Sequence, residues 1–152
     1  MNNKVKLELV WWVVTAVILS TLMFPIWKDF STFPFHNTLI VFILCFITFT
    51  RYGFLLKHTF LAKWERGKII FVLFTLAIVG LLAFQIQDFN VWYDNGDPDQ
   101  LLRSSSSKNK GDLLTYIKST FLFFAIGGMI SAIFLGGRLL VSIWRLRNRG
   151  KV

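Results

Sequence analysis

Three aspartates, Asp94, Asp97 and Asp99, stand close together around Gly96 and Pro98. Carboxylates so spaced are the side chains of this chain best suited to a hard cation such as Ca²⁺, which takes oxygen ligands. The spacing departs from the EF-hand pattern and no glutamate closes the loop, so a solvated acidic turn is expected. Two histidines, His36 and His58, fall by the topology argued below on opposite faces of a membrane, where they can share neither a metal nor a proton. The lone cysteine, Cys45, makes no intrachain disulfide or redox pair and reads as a small apolar filler in a helix. Nucleophile-elbow and HExxH patterns are missing. No catalytic residue, no metal and no cofactor is expected.

What positions these residues follows from composition. Of 152 residues, 55% are hydrophobic and 16% charged, yet the formal net charge is +9. A soluble domain carries about 25% charged residues. Low charge with a strongly basic balance fits a membrane protein whose charges are confined to its loops. The basic residues flank apolar runs rather than lining one face, so anionic membrane lipids, not nucleic acid, are the expected partner.

Three runs without acidic or basic side chains each hold 19 residues: Leu9 to Trp27, Ile69 to Gln87 and Ser119 to Gly137. At 1.5 Å per residue each spans about 28 Å, close to a hydrocarbon core of about 30 Å. A fourth run starts at Asn37 but meets Arg51 after 14 residues. Reading on to Leu56 restores a full span and places Arg51 within it, near one end. An arginine there is expected to reach the headgroups along its own stem, or to pair with Glu65 or a partner subunit. The expected fold is all-α: a single polytopic domain over residues 1–152, with four transmembrane helices in an antiparallel bundle. The spans fall at about 9–27, 37–56, 69–87 and 117–138, with a cytoplasmic loop at 57–68 and an outer loop at 88–112.

Orientation follows from Lys and Arg. Twelve lie on the side of the termini and middle loop, including Lys4, Lys57 and Lys151, against five on the other: Lys28, Arg103, Lys108, Lys110 and Lys118. Both termini are therefore expected in the cytoplasm. Trp11, Trp12, Trp64 and Trp144 then fall near the inner interface, and Trp27, Trp92, Tyr93 and Tyr116 near the outer one, where amphipathic rings are favoured. The first span is longer than a signal-peptide core, and bulky Phe24 to Trp27 occupy the place of a cleavage site.

The fourth helix carries a face of small residues: Gly128, Ala132 and Gly136 recur every four positions, widened by Gly127 and Ser131. Such a face lets two helix backbones approach closely, and packing drives association in lipid. It marks a contact with another helix of this chain or with another subunit. Weaker small pairs are Ala16 with Ser20 and Ala77 with Gly80. Arg51, Lys63, Arg66, Lys68, Arg138, Arg145, Arg147 and Arg149 are expected to meet lipid headgroups or a partner.

With an almost charge-free membrane interior, the expectation is a non-enzymatic accessory, scaffold or assembly subunit of a larger complex. It would sit in a bacterial inner membrane, associating with other membrane subunits or with itself. One alternative is a self-oligomerising channel or membrane-perturbing effector using the same small-residue face. Another is a small transporter or enzyme acting on an apolar or lipid substrate, with polar groups drawn from Gln85, Gln87, Asp88, Asn90 and Lys118.

Overall fold

The computed structural model describes residues 3–30, 33–56, 64–95 and 110–148. Among them the chain is all-helical: α1 (Asn3–Asp29), α2 (His36–Leu55), α3 (Glu65–Asp94) and α4 (Lys110–Asn148). All four helices are long and apolar enough to cross a membrane. Three outrun the charge-free stretches. With 39 residues, α4 is about 58 Å long at 1.5 Å per residue, well beyond a hydrocarbon core. Charges bound the greasy part of a helix, not the helix itself, because a solvated helical turn tolerates Lys and Asp. For the same reason the ends of the 57–68 and 88–112 connections are redrawn. Helix α3 begins at Glu65 and continues through Asp94, and α4 begins at Lys110. Phe89 to Tyr93 thus form the last turns of α3.

Helix α4 is the hub. It packs along its length against α2 and α3, whereas α1 touches α2 and α4 more lightly. The pairs Phe42 with Phe121, Phe46 with Phe124 and Thr50 with Ser131 step in the same chain sense on α2 and α4. On α3 and α4 the steps oppose: Phe89 meets Phe121, Leu82 approaches Gly128, Thr75 approaches Gly136 and Lys68 reaches Ser142. Adjacent positions on a helix are about 100° apart, so one helix can present separate stripes to two neighbours. Phe124, Gly127, Ser131 and Phe134 of α4 serve α2, while Gly128 and Gly136 serve α3.

Elsewhere the helices leave large apolar side chains uncovered. Helix α3 buries least of its span and α4 most. Leu73, Leu76 and Phe84 on α3, and Val13, Val17 and Phe24 on α1, are all exposed. In water such faces would collapse onto something. Against lipid tails, which are as apolar as leucine, exposing them costs little.

Candidate functional site

The small-residue face of α4 lies inside the fold. A methyl group added at Gly127 would sit 2.9 Å from the Phe46 ring of α2. One added at Gly53 of α2 would sit 2.9 Å from the Phe134 ring of α4. Each helix therefore lays a phenylalanine over the other's glycine. Midway between these two contacts, the Thr50 and Ser131 hydroxyls share a hydrogen bond of 2.8 Å. The spacing is the same on both helices: Phe46, Thr50 and Gly53 face Gly127, Ser131 and Phe134. The small positions accept the large ones, and the hydroxyl pair satisfies two polar groups that lipid could not. On the other stripe, a methyl at Gly128 would meet Leu82 at 3.5 Å and the Phe42 carbonyl oxygen at 4.0 Å, and one at Gly136 would meet the Thr75 hydroxyl at 3.1 Å. Ala132 is buried with Leu135 and Leu139.

Polar contacts tie α1 to the rest near both of its ends. At one end the Arg51 guanidinium forms an ion pair of 2.6 Å with Glu8, its side chain only 10% exposed against 40% for the glutamate. It also lies 5.5 Å from the Trp11 ring centre and 5.6 Å from that of Tyr52, within cation–π range. Arg51 thus pairs within the protein, with Glu8. At the other end the Tyr116 hydroxyl donates to the Leu22 carbonyl at 2.9 Å. Pro25 lies inside α1, and its missing N–H removes a nearby rung of the helix ladder.

The other basic residues scatter. Lys68 is fully buried and donates to the Ser142 hydroxyl of α4 at 2.9 Å, so it joins α3 to α4 instead of standing at a headgroup surface. Arg138 sits 5.8 Å from the Phe134 ring centre. Arg66, Arg145 and Arg147 are exposed, and Lys63 and Arg149 lie outside the described residues.

Where α3 ends and α2 begins, aromatic rings form a cluster. Phe89 and Phe121 stack with centres 3.9 Å apart, and Phe35 stands edge-on to both. Phe33 and Trp92 extend the cluster, and the Lys118 ammonium sits 4.1 Å above the Tyr93 ring. His36 packs edge-on to Phe33, its Nδ1 bonded to the Phe33 carbonyl and its Nε2 buried without a partner. Among the described residues no three metal-ligating side chains gather. Asp94 is exposed at the end of α3, and Asp97, Asp99 and His58 lie outside the described residues.

Between α2 and α3, which both lean on α4, lies an open groove of about 290 Å³. Its polar groups are Asn37 and Thr38 from the first turn of α2 and Gln85 from α3. Val41, Phe42, Ile78, Leu81 and Leu82 line the remainder together with Cys45. The helical period explains the grouping, since Ile78, Leu81, Leu82 and Gln85 fall on one face of α3 and Asn37, Thr38, Val41, Phe42 and Cys45 on one face of α2. Of the polar candidates singled out from sequence, Gln85 lines this groove, whereas Gln87 is exposed and Lys118 is engaged with Tyr93. Asn37 and Thr38 were missed. Their signal is a pair of neutral hydrogen-bonding side chains at a helix start, facing a glutamine in an otherwise apolar span. Comparison with known protein families, with characterised proteins and with solved structures finds no match to this chain.

Proposed function

We propose that this protein is a non-enzymatic accessory or assembly subunit of a larger complex in a bacterial inner membrane. In this reading the helices cross in alternation, with both termini in the cytoplasm. The twelve-to-five distribution of Lys and Arg supports that orientation. The observation that carries the functional reading is the outward face of α3. Ala77 and Gly80 are exposed there, and nothing lies within 4 Å of a side chain begun at Gly80. Leu76 and Phe84 flank them, also exposed. A small-residue notch between large apolar side chains is the relief that a second transmembrane helix fits in lipid. By contrast Gly128 and Gly136, which would motivate a self-assembling channel, are occupied by this chain's own α3.

A photoreactive residue at Leu76 or Phe84 tests the reading in native membranes. We expect an adduct with a different membrane polypeptide. Gly80→Leu should abolish that adduct without moving the unfolding midpoint of the purified chain, because the new side chain meets nothing inside the fold. Capture of lipid alone, or an adduct that survives Gly80→Leu, would count against it.

A further inference from the structure

We propose that the groove between α2 and α3 binds one acyl chain of a neutral glycerolipid, its ester carbonyls accepting hydrogen bonds from Asn37, Thr38 and Gln85. Four observations select this occupant. The groove's rim carries the exposed side chains of Val41 and Leu81, on helices that are long and apolar enough to cross a membrane, so lipid is what meets its mouth. Its volume, about 290 Å³, suits a slender guest such as a hydrocarbon chain. At about 30 Å³ per water-sized unit, the groove holds a slender chain of roughly ten such units.

The third observation is chemical. Among the described residues no charged side chain lines the groove, so a phosphate or carboxylate would find no counter-charge from them. Two carboxamides and a hydroxyl instead offer N–H and O–H donors to neutral carbonyl oxygens. The fourth is the division of the lining. Three polar side chains join six residues without a strong hydrogen-bonding group, which matches an ester with its hydrocarbon tail. This site is separate from the Gly80 notch and stands or falls independently of the accessory-subunit reading.

The protein carries its own reporter, because its one cysteine, Cys45, lines the groove. The rate of Cys45 alkylation by N-ethylmaleimide is to be followed on the purified full chain in mild detergent, with dioleoylglycerol or hexadecane added. Dioleoylglycerol at ten times its half-saturating concentration should slow labelling about tenfold, since about one site in eleven stays open. Hexadecane, with a chain but no ester, should protect much less. The double variant Asn37→Leu, Gln85→Leu should lose the diacylglycerol effect, read as the ratio to its own lipid-free labelling rate. Leu81→Trp should slow labelling with no lipid present, by filling the groove from its exposed rim. Equal protection by hexadecane, an unchanged rate with dioleoylglycerol, or protection confined to native membranes would each overturn the proposal. The last result would point to a protein occupant instead.

Discussion

Replacing Gly128 by leucine is expected to produce a large loss of stability. The first carbon of the new side chain would already touch Leu82 of α3 at 3.5 Å and approach the Phe42 carbonyl of α2 at 4.0 Å. Three further carbons have nowhere to go without parting α4 from its neighbours. Overpacking of a tight core costs about 1–3 kcal/mol, and a site wedged against two helices belongs at the upper end of that range. Gly128→Ala adds only an ordinary van der Waals contact and should change little. Gly137→Leu is the control, because nothing lies within 4 Å of that position. Unfolding of the purified chain in mixed micelles by increasing SDS reads all three. A large fall in midpoint for Gly128→Leu alone is the expected pattern, and equal behaviour of Gly128→Leu and Gly137→Leu would contradict it.

The second large effect concerns the ion pair between α1 and α2. The Arg51 side chain is nearly buried and Glu8 is partly solvated, so the two partners are not equivalent. Glu8→Ala leaves a guanidinium among apolar neighbours with no counter-charge, and its Nε has no hydrogen-bond partner even now. Stripping one partner from a buried pair costs about 3–5 kcal/mol. Water reaching Glu8 weakens the pair itself, and we expect about 1–3 kcal/mol here. Arg51→Met instead removes the buried charge and leaves a carboxylate that water can serve, so it should cost less. The double variant should resemble Arg51→Met. Because α1 makes few other contacts, the loss should appear first as faster amide exchange along α1, with α3 and α4 unaffected. A Glu8→Ala variant less damaging than Arg51→Met would show that the pair is not buried in the membrane-embedded protein.

How these features could be read from sequence differs case by case. The four membrane-length runs were visible because charge is expelled from hydrocarbon, and that penalty acts on each residue locally. Helix ends were not, since nothing expels Asp94 or Arg145 from a solvated helical turn. The Gly128 face was visible as a period of four, but its use was not. Which neighbour fills a notch depends on helix order around the hub, and the glycines carry no mark of it. The phenylalanines that complete the α2–α4 contact were hidden for a related reason. Phe46 and Phe134 are two among 17 phenylalanines, and only the matching spacing of Thr50 and Gly53 with Gly127 and Ser131 sets them apart.

The charged residues show the same limit. Glu8 read as the boundary of the first span and Arg51 as an intruder in the second; their meeting needs α1 laid beside α2. Lys68 was expected to meet headgroups or a partner, yet its ammonium donates to Ser142 of α4. A long side chain near a span end can turn towards the headgroups or towards a neighbouring helix. Local sequence does not distinguish the two.

The claim on which the rest depends is that the chain crosses a membrane four times with both termini inside. Dual reporters that are active only in the cytoplasm or only outside it test this directly. They should be inserted in the intact chain between α2 and α3, between α3 and α4, and at the C-terminus. The expected result is a cytoplasmic signal from the first and third positions and an external signal from the second. An external C-terminus, or the same side for both internal positions, would contradict the account.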